Sequence, residues 1–193
     1  MVLADNSARA EFVAADLLSQ AEHGDDSQAI LVCRTERFAR QVTRAVEEQI
    51  RYLSRGEAIR NSLANSRIVV FSDPDEQIAF ADAYAPEHLI VSLRDPWPAA
   101  RRITTAGSVF VGDYAPESAG DYASGTNHTL PTGGCARAYS GVNIDSFLRR
   151  ITYQELTREG LRVLAPTVVA MARAEGLDAH AEAVRIRLEG GVR

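Results

Sequence analysis

The sequence predicts an α/β protein in which a parallel sheet lies between two layers of helices and is followed by an all-helical tail. Three observations predict it. Short runs rich in Val and Ile alternate with stretches of helical periodicity over the first part of the chain. Strands that alternate with helices pair in parallel through right-handed crossovers, which places helices on both faces of the sheet. Beyond Val142 the strand-like runs stop and only helical patterns remain.

Taken in chain order, the strand candidates are Gln28 to Cys33, Arg67 to Phe71, His88 to Val91 and Ser108 to Val111, each short, apolar and bounded by charged or turn-forming residues. The helices lie between them. Phe12, Ala15, Leu17, Leu18 and Ala21 recur at helical spacing behind Ser7, which reads as an N-cap, and Phe38, Val42, Ala45, Val46 and Ile50 do the same behind Thr35. Ile78 to Ala85 and Pro98 to Ile103 supply shorter helices. From Gly112 to Val142 the chain is rich in Gly, Ser, Thr, Tyr and Pro. The tail then reads as helices over Asp145 to Arg150, Gln154 to Arg173 and Ala179 to Leu188, interrupted at Gly160, Pro166 and Gly176. A tail this amphipathic, with little chain left to cover it, calls for a partner surface. The expected division is residues 1–142 as an α/β part and 143–193 as a helical dimerisation tail.

Composition narrows the function. With 193 residues, 46% of them hydrophobic and 24% charged, the chain has the make-up of a folded globular protein. A net charge of −5 with no clustered basic face argues against nucleic acid. No apolar run approaches the roughly 18 residues of a membrane span, and the first residues lack the features of a signal peptide. The two cysteines, Cys33 and Cys135, are too far apart in sequence for a metal-binding pair, which suits a reducing compartment, and the expected location is cytoplasmic. The common nucleotide, zinc-protease and nucleophile-elbow signatures are absent.

The residues that can carry chemistry lie in four places. Gln20 and His23 stand three apart at the end of the first helix and can converge on a cation, although a His ahead of Gly24 also complements a helix C-terminus. Glu87 and His88 follow Pro86 at the mouth of a strand and form an acid/base pair if the backbone turns there. The stretch Pro116 to Pro131 is long, polar and turn-forming, as functional loops are, and it contains Asp121 and His128. Glu175 and His180 flank Gly176 and, by spacing alone, read as ordinary polar helix faces.

Five segments in order, Glu11 to Gly24, Tyr84 to Leu89, Ala106 to Gly112, Pro116 to Pro131 and Glu175 to His180, resemble histidinol dehydrogenase, the zinc enzyme that completes histidine biosynthesis. The resemblance covers essentially the whole chain. It implies that Gln20, His23, Asp121 and His180 are zinc ligands, with the last reaching across from a partner subunit. It implies further that Glu87 and His88 are the catalytic pair, that Glu175 contacts substrate, and that His88 and the zinc ligands line the substrate site, with His128 bordering it. The implied reaction oxidises L-histidinol to L-histidine through histidinaldehyde with two NAD reductions. By the same resemblance the chain is a C-terminal portion, an incomplete Rossmann-like domain whose NAD-contacting part lies upstream, and alone it transfers no hydride. Two other readings remain open on sequence. One is a zinc-binding dimerisation module, or a subunit needing a separately encoded NAD-binding half. The other is a zinc hydrolase in which Glu87 activates water.

Overall fold

The computed structural model describes residues 1–190. They form two compact units, one spanning Met1–Phe147 and a second from Leu148 onward.

The first unit is built on five parallel strands: β1 (Val2–Ala4), β2 (Ile30–Cys33), β3 (Arg67–Val70), β4 (His88–Ser92) and β5 (Ser108–Val111), in the order β3-β2-β1-β4-β5. Successive side chains of a strand point to opposite faces, so each apolar run supplies two layers. Val2, Ala4, Leu31, Cys33 and Ile90 face α1 (Ala10–Ala21) and α2 (Glu36–Gln49). Met1, Leu3, Ile30, Val32, Leu89 and Val91 face the other way, toward α4 (Pro74–Tyr84) and α5 (Pro96–Ala100). A further helix, α3 (Gly56–Asn65), closes against α1 through Ile59, Leu18 and Ala21. This is the three-layer parallel arrangement expected, with one strand more than the four anticipated. The extra strand, β1, is the central one, and its three-residue apolar run is too short for periodicity to reveal. Its place is set by pairing on both sides, Val2 with Leu31 and with Ile90.

Local chemistry explains most helix starts. Thr35 accepts from Phe38 N at the start of α2, and Asp73 accepts from Asp75 N ahead of Pro74. Ser7 does not cap α1. Its N–H and hydroxyl are both spent on Asp5, and α1 starts three residues later, at Ala10, behind Arg9, which makes no side-chain cap.

The polar stretch after β5 is not a plain loop: it holds a short helix, α6 (Glu117–Tyr122). Helix α6 sits hard against β5, because a Cβ at Gly120 would come within 2.4 Å of the Phe110 ring and 2.7 Å of Thr126 Oγ1. Only glycine allows that approach.

The second unit consists of an extended lead-in followed by α7 (Arg158–Ala174) and α8 (Asp178–Glu189), which pack on each other. Helix α7 continues through Gly160 and Pro166 instead of being interrupted there. The carbonyl that Pro166 leaves without a donor belongs to Arg162, an exposed residue. Among the described residues of this unit only Ala172 and Ala181 are buried, while Val163, Leu164, Met171 and Ile186 lie exposed. Both cysteines are free, and no helix among the described residues is long and apolar enough to cross a membrane.

Candidate functional site

The site forms at the amino ends of the strands. His88 is the first residue of β4, in register with Ser108 of β5, and its side chain points to the α1 face, with its ring 6.0 Å from that of Phe110. The turn before it is sharp. Ala85 caps α4 with a left-handed φ of 55°, a conformation rare for a side-chain-bearing residue, and Pro86 follows. Gly107 then packs against this turn: its N–H donates to Pro86 O, and a Cβ there would meet Glu87 O at 2.6 Å. The backbone thus bends at Glu87 immediately before His88 opens β4.

Around His88 the structure gathers three more groups. Helix α6 carries Glu117 and Asp121 four residues apart, hence on one face. Glu117 Oε1 lies 3.6 Å from His88 Nδ1 and 3.2 Å from His23 Nε2, and Asp121 Oδ1 lies 3.7 Å from His88 Nε2. His23 sits just beyond the end of α1, its ring 6.2 Å from that of His88. One ligand atom each of His23, Glu117 and Asp121 falls within 4.8 Å of the others, a spacing that suits a single metal ion. Gln20, on the last turn of α1, lines a cleft of about 700 Å³ together with Glu87, His88, Tyr84 and Arg137.

Two members of this cluster are shut off from solvent. Glu117 and His88 are almost wholly buried. Both Glu117 carboxylate oxygens, His88 Nε2 and Gln20 Nε2 are buried with no hydrogen-bond partner, and they are all the side-chain atoms in that condition among the described residues. Groups of this kind are costly unless a ligand or ion completes them. Burial pushes the Glu117 carboxyl up to about 7, helped by the Asp121 charge. Burial also pushes His88 down to about 4, against the pull of Asp121, so that its imidazole is neutral at neutral pH. Glu87 is raised as well, mainly by desolvation.

Of the residues singled out in the sequence, His23, Asp121, Glu87, His88 and Gln20 all belong to this one region of the first unit. Glu175 and His180 belong to the second unit, at the end of α7 and on α8, and both are exposed. His128 is exposed on the loop after α6 and does not line the cleft. Glu117 is the residue the sequence reading passed over. The signal was available in the Glu117/Asp121 spacing, but it has meaning only once α6 is known to be a helix.

Comparison with known proteins identifies the family. The family model described as histidinol dehydrogenase matches residues 1–188. The chain belongs to the histidinol dehydrogenase family. It is 55% identical over 188 residues to a histidinol dehydrogenase of Bacteroides fragilis, covering 97% of this chain and 44% of that protein. It is 52% identical over 189 residues to one of Vibrio vulnificus, covering 98% and 44%. A crystal structure of histidinol dehydrogenase from Elizabethkingia anophelis superposes with a TM-score of 0.91 at 50% identity, over 97% of this chain and 43% of that one. The family is one of oxidoreductases, and the chain spans less than half the length of the relatives it matches.

Proposed function

We propose that this chain is the zinc- and substrate-binding portion of a cytoplasmic histidinol dehydrogenase, acting in the oxidation of L-histidinol to L-histidine through histidinaldehyde with two NAD reductions. The observation that carries the reading is the convergence of His88, Glu87, His23 and Asp121 beside a cleft lined by Gln20, with buried polar atoms left open toward a ligand. The imidazole nitrogen of His23 and the carboxylate oxygens of Glu117 and Asp121, which lie within 4.8 Å of one another, fit zinc. Gln20, His23 and Asp121 would hold it, with His180 supplied by a second copy of the chain. Zinc would supply a Lewis-acid centre there for the nitrogen donors of histidinol.

The chain's own residues then divide the proton transfers. His88, neutral at working pH, would take the hydroxyl proton of histidinol through Nε2, and NAD would supply the acceptor for the hydride. Glu87, whose affinity for a proton is raised by desolvation, takes a proton from the water that adds to the aldehyde carbon, and the hydrate gives up a second hydride to leave the carboxylate. Glu175 contacts the substrate from the tail. NAD binds to the portion of the enzyme that this chain does not span.

In this reading residues 1–142 carry the zinc and catalytic groups, and residues 143–193 form a tail exchanged between the subunits of a homodimer. The exposed Val163, Leu164, Met171 and Ile186 support a partner surface there. The same surface supports a second reading, in which the chain is a zinc-binding dimerisation module or one subunit of a split enzyme. Calorimetry with L-histidinol tests the first reading: the zinc-loaded chain binds it and the zinc-free chain does not. Equal binding with and without zinc contradicts it. Supplied with zinc, histidinol and NAD, the isolated chain is expected to form no NADH.

A further inference from the structure

The far end of the sheet carries a cavity that the proposed enzyme function does not use. From β1 the chain steps to β2 and β3 on one side, and α4 then carries it back across to β4 and β5 on the other. Where neighbouring strands send their connections to opposite sides, a crevice opens beyond their carboxyl ends. Here it measures about 590 Å³, within the roughly 300–1,000 Å³ of small-molecule sites. Three of the groups that line it are free. Gln77, near the start of α4, is only 2% exposed, and its Nε2 donates to Phe71 O at 3.1 Å. A carbonyl only accepts, so the amide cannot be flipped and Oε1 must face away from Phe71. That oxygen accepts no hydrogen bond among the described residues, yet it is not one of the atoms shut off from solvent, so it opens on the crevice that Gln77 lines. The guanidinium groups of Arg34, next after β2, and Arg94, two residues past β4, make no hydrogen bond or ion pair among the described residues. They flank β1 from opposite sides. The carboxylate that feels the Arg34 charge, that of Asp5, already accepts from Ser7 N, Ser7 Oγ and Arg94 N, and Asp75 is paired with Arg102.

We propose that this crevice is a second ligand site, for a small phosphomonoester that carries hydroxyl groups: the phosphate lies between Arg34 and Arg94, and a hydroxyl donates to Gln77 Oε1. A phosphomonoester carries a charge of about −1.5 to −2 at neutral pH, which matches two guanidinium groups, and their planar N–H pairs suit its oxygens. An amide held by its nitrogen end offers only an acceptor, so it favours a ligand with a donor set apart from the phosphate. Asp95, exposed on the rim, can accept from further hydroxyls. A dinucleotide fits less well, because Asp5, Asn6 and Ser7 follow β1 where a glycine-rich turn would cradle a pyrophosphate. Nothing in this site depends on the zinc reading.

The test is titration of the metal-free chain with ribose 5-phosphate, ribose, inorganic phosphate and NAD, followed by backbone amide NMR. Ribose 5-phosphate is expected to bind with a Kd of about 1 mM or tighter, about tenfold more tightly than inorganic phosphate, and to shift the amides of Asn6, Arg34 and Arg94. Ribose and NAD should leave those amides unmoved. Arg34→Gln and Arg94→Gln should each weaken the binding by about tenfold or more, whereas Arg44→Gln, on the exposed side of α2, should not. All three arginines are at the surface or the crevice wall, so their replacement leaves the core intact. The absence of a saturable shift at about 10 mM ribose 5-phosphate, ten times the expected Kd, overturns the proposal. So does binding no tighter than that of inorganic phosphate, or affinity that survives both crevice variants. A loss of the same size in Arg44→Gln shows diffuse surface charge and overturns it too, as does displacement of the ester by NAD.

Discussion

The two ends of the five-stranded sheet are built on opposite principles. At the carboxyl ends, where the strand order reverses about β1, there is an open crevice of about 590 Å³ lined by Asp5, Asn6, Arg34, Gln77, Arg94 and Arg102. Ligands of doubly wound sheets usually bind at such a crevice. Yet several of its polar groups are already engaged: Asp5 accepts from Ser7 and from Arg94 N, Gln77 donates to Phe71 O, and Arg102 pairs with Asp75. At the amino ends the reverse holds, and Gln20, His88 and Glu117 all retain buried, unpartnered atoms. The common location rule for this fold and the state of the side chains therefore point to opposite ends, and the proposed zinc site follows the side chains.

Substitutions at the two ends should separate them. Replacing His23 and Asp121 together by Ala should weaken zinc binding by about a thousandfold or more, about 4 kcal/mol, while Arg94→Ala leaves it unchanged, as titration calorimetry would show. In the metal-free protein Glu117→Gln should raise unfolding stability at pH 8 by up to about 3 kcal/mol, since it removes a charge that burial opposes. The sign follows from the folded carboxyl being raised from 4.5 to about 7. The wild-type penalty is absent below pH 4.5, grows between 4.5 and 7 and is complete above, so the two denaturation profiles should converge on acidification. Gly120→Ala should cost about 2 kcal/mol in thermal unfolding, because the Phe110 ring must shift to admit the methyl group. At the carboxyl ends the sign reverses. Asp5→Asn should lose about 1 kcal/mol of stability at pH 7, since the carboxyl there is held below its usual range by the Ser7 and Arg94 hydrogen bonds. That loss should fade as pH falls through the lowered Asp5 value and the wild type itself protonates. The smallest effect is expected in the tail, where Val168→Ala should change monomer stability by under about 0.5 kcal/mol yet weaken self-association in sedimentation.

How much of this was legible in the sequence depends on whether the signal was periodic or spatial. Strands β2 to β5 and the main helices could be read because Val/Ile runs and 3.6-residue spacing are local. Strand β1 could not, since three apolar residues carry no period and its place depends on pairing with β2 and β4. Helix α3 was missed because Gly56 and the polar residues around it weaken the helical pattern. At the site, His23, Glu87, His88 and Asp121 stood out as residue types in telling contexts, while Glu117 did not. Its significance comes from burial between two imidazoles that lie far apart in the sequence.

The central claim, that the amino-end cluster is a metal site, is tested most directly by zinc analysis of the purified chain, with X-ray absorption to identify the donor atoms. The account predicts one zinc per chain with only nitrogen and oxygen donors, lost when His23 and Asp121 are replaced by Ala. A chain that takes up no zinc, or one whose zinc is bound through the sulfur of the exposed Cys135, would contradict it.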